Sequence, residues 1–192
     1  MKKALFLLVS VMLASPICFA EYGVCSDKGW SKMNRYDEVS RKKFNASIEF
    51  YNKLLEHRYE VTFLHEKYQP HDIAGGWGSE SAQFIKTMRE VNAHAQKHIQ
   101  QVKAENKKLD AISKRYSNSR EAWQLIADDC FDGDEMDNHF TATRNMNEAI
   151  AKRDRVSRLQ SKLTKISDKF NKEIELISSS RKLYFDALKK PE

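Results

Sequence analysis

Between Ser79 and Cys130 the apolar residues Phe84, Ile85, Met88, Val91, Ala95, Ile99, Val102, Leu109, Ile112 and Tyr116 recur, after the adjacent first pair, at steps of three, four or seven. That spacing puts them on one stripe of an α-helix. Lys86, Arg89, Glu90, Gln96, Lys97, Gln100, Gln101, Lys107 and Lys108 fall between them and form a solvated face. A stripe this long needs partner helices, and the flanking segments supply the pattern for two. Trp30, Met33, Val39, Phe44, Ile48, Tyr51, Leu55, Tyr59 and Phe63 predict one helix from Ser26 to Tyr68, roughly 65 Å long at 1.5 Å per residue. Val156, Leu159, Leu163, Ile166, Phe170, Ile174, Ile177, Arg181, Tyr184 and Leu188 predict another from Asp134 to Lys189. Its alternating steps of three and four give it a coiled-coil seam.

The breaks between these stripes come from residues that cannot continue a helix. Pro70 and the run Gly75-Gly76-Trp77-Gly78 stop the first, and Ser79 is placed to cap the second. Asn118, with Glu121 three residues on, resembles a capping box, so the second helix is expected to break at Ser117-Asn118-Ser119 and resume from Arg120 to Cys130. Asp132-Gly133 makes the next turn, with Asp132 as cap and Glu135 at N3. A kink is expected in the less regular part of the last helix, between Ala151 and Arg155. The predicted architecture is all-α, an elongated antiparallel three-helix bundle in up-down-up order with coiled-coil character.

Composition agrees with the helical class, since 31% of the residues are charged and only 6 Gly and 3 Pro are spread over 192 positions. Residues 1–20 read as a cleaved export signal. Lys2 and Lys3 precede an apolar run from Ala4 to Ala14, and Cys18-Phe19-Ala20 offers a cleavage site. Ile17 is bulky where lipidation at Cys18 requires a small residue. The run is too short to remain as a membrane span. Residues 21–192 then form a single domain, exported to a bacterial periplasm or beyond. Its net charge falls from +6 to +4 once the two lysines are gone. An exported chain of that charge is not expected to meet nucleic acid.

Cleavage leaves two cysteines, Cys25 and Cys130, in an oxidising compartment, where a lone pair becomes a disulfide. The up-down-up order brings both to one end of the bundle. Periodicity and cysteine placement are independent signals, and they agree.

Four features carry candidate chemistry. Glu90, His94 and His98 lie at i, i+4 and i+8, so they share a helix face on which two imidazoles are spaced to grip a transition metal. The ordinary alternative is a packed or solvated face. Asp128, Asp129, Asp132, Asp134, Glu135 and Asp137 cluster around Gly133, but Cys130 and His139 occupy positions where a calcium loop needs oxygen ligands. Neutralisation by Lys28, Lys32 or Arg35 is the expected relief. The turn from Tyr68 to Gly78 holds His71 and Trp77, and the bundle order brings Tyr184 and Phe185 beside it. Such an aromatic group suits a partner-docking end, unless Trp77 folds back over the core. Lys152, Arg153, Arg155, Arg158, Lys162, Lys165, Lys169 and Lys172 line the last helix, a basic shaft for an acidic client or an anionic membrane surface.

No catalytic triad order, nucleophile elbow, phosphate loop, haem site or CxxC pair occurs, and neither enzymatic activity nor a cofactor is expected. The expected function is binding of another macromolecule, most simply a protein, as adaptor, chaperone, inhibitor or immunity-type factor. A metal-binding or metal-sensing bundle using His94 and His98 is the alternative.

Overall fold

A computed structural model describes residues 25–60, 62–78 and 82–189, with backbone only for 57–60. The predicted export signal and the Ser79 cap lie outside the described residues. The described residues form four α-helices, α1 (Asp27–Glu60), α2 (Pro70–Ala74), α3 (Ala82–Asp132) and α4 (Met136–Ala187), with short 3₁₀ turns at Leu64–Glu66 and Gly75–Trp77. No strand occurs among the described residues. Side-chain pairings give the directions. Just before α1 Cys25 meets Cys130, and along it Asp37 meets Ser119 and Ser40 meets Arg115, so α1 and α3 run in opposite senses. Ala127 with His139, Asp110 with Gln160 and His98 with Phe170 give the same relation for α3 and α4.

The apolar stripes bury largely as their periods require. Val102, Leu109, Ile112 and Tyr116 of α3 pack with Val156, Leu159, Leu163, Ile166 and Phe170 of α4, and Phe44, Ile48 and Tyr51 of α1 lie over them. Met33, Trp123, Ile126, Cys130 and Ala142 close the disulfide end, where Trp30 tilts onto Trp123 at 5.1 Å. Trp77, Met88 and Ile177 close the other end.

Three expectations need correction. First, α1 stops at Glu60 instead of reaching Tyr68. Phe63 keeps its place in the core only by leaving the helix: its backbone is extended, and its ring meets Phe170 edge-on at 5.2 Å. The 3₁₀ turn that follows is capped from α4. Glu173, 3% exposed, accepts the backbone N–H groups of Leu64 and His65 at 2.8 and 3.0 Å, and its second oxygen also meets His65 Nδ1 at 2.8 Å. A buried carboxylate at the free N–H groups of a turn is stabilised by both hydrogen bonds and backbone dipoles.

Second, α3 passes through Ser117-Asn118-Ser119 without interruption. Ser119 is fully buried and donates to Asp37 of α1, which also accepts Trp123 Nε1–H at 2.9 Å. Arg115 donates to Ser40 Oγ and to the Tyr36 carbonyl while lying 3.9 Å over the Tyr36 ring. This polar seam satisfies residues that a local pattern assigns to a cap. Likewise α4 stays helical across 151–155.

Third, α4 begins at Met136, not Asp134. The turn before it is a Schellman motif: Glu135 N–H donates to the Cys130 carbonyl at 2.8 Å and Asp134 N–H to that of Phe131 at 3.1 Å. Asp134 takes the left-handed conformation, φ 60°, while Gly133 does not. Aspartate is among the few non-glycine residues that tolerate this region.

Tyr116, buried at the α1–α3 seam, carries a measurable consequence. Burial, and then the Asp37 carboxylate, hold its phenol above the usual value. The folded state therefore favours the neutral ring. That preference is fully available below the unfolded-state value of about 10, and is lost as pH rises through the higher folded-state value. Urea titrations between pH 8 and 11.5 should show stability falling above about pH 10, less steeply in Tyr116→Phe.

Candidate functional site

The end bearing Trp77 holds an open groove of about 620 Å³ between α3 and α4. Helical spacing builds both walls. Ile85, Met88, Arg89 and Asn92 lie at i, i+3, i+4 and i+7 of α3, and Ile177, Arg181, Lys182 and Phe185 at i, i+4, i+5 and i+8 of α4. Among the described residues, Trp77 is the only wall residue from neither helix. The floor is apolar, and the rim is cationic: among the described residues Arg89, Arg181 and Lys182 line it and no carboxylate does. Among the described residues no salt bridge joins these three to an acid. Arg181 is held in place by rings, its guanidinium lying 5.9 Å from Trp77 and 5.7 Å from Phe185. Cation–π placement leaves the charge available to an anion.

Trp77 is a wall of this groove and not its anchor. The indole is 8% exposed, its Nε1–H donates to Ser180 Oγ at 3.0 Å, and Phe84 meets it edge-on at 5.5 Å. Of the two roles open to it in the sequence, packing is the one observed. The close approach of its segment to α3 uses Gly76: a Cβ there would sit 2.7 Å from the Phe84 ring. Tyr68 and His71 are exposed on the adjoining turn, and Tyr184 packs edge-on with Phe185 at 5.3 Å. Phe185 is 44% exposed, with Leu183 and Leu188 also open to solvent. The groove itself escaped the sequence, because Arg181 falls on the α4 seam and reads there as a buried position.

On the histidine face two of the three predicted residues come together. His94 and His98 approach Nε2 to Nε2 at 3.1 Å. One nitrogen must donate and the other accept, so at least one ring is neutral in this pairing. His98 also stacks on Phe170, 4.9 Å between centroids and 16° between planes. Glu90 is exposed and does not join them: among the described residues no three His, Cys, Asp or Glu side chains converge on a point.

The acidic end is organised by backbone as well as by charge. Asp129 accepts the Cys25 backbone N–H at 2.6 Å, beside the Cys25–Cys130 disulfide. Around the acids, Phe131 and Phe140 are 57% and 63% exposed, flanking His139, which donates from Nδ1 to the Ala127 carbonyl. With Met136, 39% exposed between them in sequence, these two rings place apolar surface among the acids, and periodicity does not single them out. Along α4 the basic shaft is partly engaged within the molecule. Lys152 pairs with Glu148 at 3.1 Å, Arg153 approaches Asp154, Lys169 bonds Glu66, and Lys162 lies over the Tyr51 ring.

No helix of the described residues is long and apolar enough to cross a membrane. No protein-family model, curated protein sequence or solved structure matches this chain.

Proposed function

We propose that this is an exported, periplasmic helical protein that acts by binding another protein, and that the partner docks at the Trp77 end of an elongated antiparallel bundle. In this reading α1, α3 and α4 are the three long members of the up-down-up bundle, and α2 belongs to the turn between the first two. The observation that supports docking is the groove with an apolar floor, three cations on its rim that no described acid neutralises, and exposed Phe185 at its mouth. Concave apolar surface with a few convergent charged groups is the usual form of a binding site, and aromatic and arginine side chains dominate interface energies. The shaft offers less, because several of its cations already have internal partners. The two-histidine alternative has the weaker support, since each imidazole's Nε2 is taken up by the other.

Site-specific photo-crosslinking tests this in the native compartment. A photoreactive residue at Phe185 should yield a discrete protein adduct, and one at Phe140, at the opposite end, should not. An adduct from position 140 alone would move docking to the disulfide end. Absence of any adduct at both ends would remove protein binding at the termini of the bundle.

A further inference from the structure

The helix lengths say what shape the groove receives. Ser40 of α1 stands against Arg115 of α3, and α1 continues 20 residues to Glu60, which brings its end level with Ala95, 20 residues back along α3. From Ala95 to Ala82 the α3–α4 pair runs on without α1 for about 20 Å at 1.5 Å per residue. Leu64, Ile73 and Trp77 cover part of this stretch. The groove is the part left open, and both of its walls are two-turn helical stripes. Two parallel ridges of this length, with side chains at three- and four-residue steps, are the complement of a third helix.

We propose that the groove takes a short acidic amphipathic helix from the partner protein, seated along α3 and α4 where α1 has ended. This inference rests on the reading that the Trp77 end docks a protein. It adds the occupant. Apolar anchors at i, i+3 or i+4 and i+7 of such a helix would lie against Ile85, Met88, Ile177 and Phe185, as in other helix-in-groove complexes. Its flanking carboxylates would meet Arg89, Arg181 and Lys182. The rim selects the sign of the ligand, because a basic helix would bring like charge against three cations, with no acid among the described lining residues to relieve them. An anionic bilayer has the right sign but the wrong shape, since a broad surface meets the exposed rim and leaves the concave floor unfilled.

The probes are two fluorescein-labelled amphipathic peptides of fourteen residues with identical leucine spacing, one with glutamates and one with lysines on the flanks, titrated with the full exported chain. The acidic peptide should bind at least tenfold more tightly than the basic one. Its affinity should fall tenfold or more with Arg181→Glu and Lys182→Glu combined, a variant that should instead favour the basic peptide. Lys165→Glu with Lys172→Glu, further along α4, should leave the preference unchanged. Circular dichroism checks the fold of each variant, and Lys182→Glu alone, fully on the surface, serves if the double change unfolds the chain. Equal affinity for the two peptides, no binding of either, or a preference that survives charge reversal would overturn the proposal. So would binding to phosphatidylglycerol vesicles that depends on Arg181 and Lys182 while neither peptide binds. A positive crosslink at Phe185 with negative peptide titrations would reject the acidic helix and keep the docking end; a negative crosslink at both ends would reject the reading beneath it.

Discussion

Trp77→Ala is expected to lower the melting temperature by roughly 6–20 °C, because the indole is an enclosed part of the core at its end of the molecule. Truncating a buried tryptophan costs about 3–5 kcal/mol when the surroundings relax only in part. Little can move into the space here. Ile177 and Met88 are held on long helices, and Phe84 is set against Gly76 as well as against the indole. Ser180 Oγ loses the donor it accepts from but keeps its own bond to the Ile177 carbonyl, so the loss is mainly one of packing. Phe185→Ala supplies the contrast: an exposed ring at the same end should change the melting temperature by little. Thermal unfolding of the two variants side by side checks the assignment. A Trp77→Ala protein that melts with the parent would show that the side chain does not pack where the structure has it.

The second large effect is expected at the opposite end. Breaking the Cys25–Cys130 bond, by reductant or by Cys25→Ser with Cys130→Ser, opens a link across a sequence separation of 105 residues. On the chain-entropy account a loop of that size is worth about 4–5 kcal/mol, and measured losses for native bonds fall at about 2–5 kcal/mol. Urea unfolding with and without reductant should separate by about this amount, with the double variant matching the reduced protein and showing no further response. An oxidised protein indifferent to reductant would leave the bond without a stabilising role. Cys130 is fully buried beside Met33 and Trp123, so serine there adds a polar group to an apolar cluster. The comparison with chemical reduction isolates that contribution.

How far the fold could be read from the sequence depended on whether each constraint was local. The α4 stripe from Val156 to Phe170 and the α3 stripe from Met88 to Tyr116 bury as their spacing requires, because a helix periodicity is written in neighbouring residues. The cysteine pair was legible for a different reason: with the order of helices known, only one end accommodates both. Apart from the local turn before α4, the departures came from long-range partners. Ser119 looks like part of a break until Asp37, on another helix, supplies the acceptor that makes a buried serine tolerable. Phe63 fits the α1 stripe by number, yet Glu173, 109 residues from Leu64, organises the turn that takes it out of the helix. At the candidate site, the aromatic content of the Trp77 end was visible, but its division into buried and exposed members was not. Trp77 and Phe185 are both large aromatic residues near a terminus of the bundle. Only the positions of Ser180 and Phe84 decide that the first is enclosed and the second is open.

The covalent link at Cys25 also fixes how the molecule bears a mechanical load. Tension applied through residues that precede Cys25 and through the end of α4 passes across the sulfur bridge into Cys130, then over the turn at Gly133 and along α4. The intervening chain, α1, the Trp77 segment and nearly all of α3, lies off that line. Pulled from its two ends, the oxidised protein extends by unravelling α4, and the loop closed by the bridge cannot be drawn out. Reduction adds those residues to the length that can be paid out under force, so the two redox forms differ in reach as well as in stability.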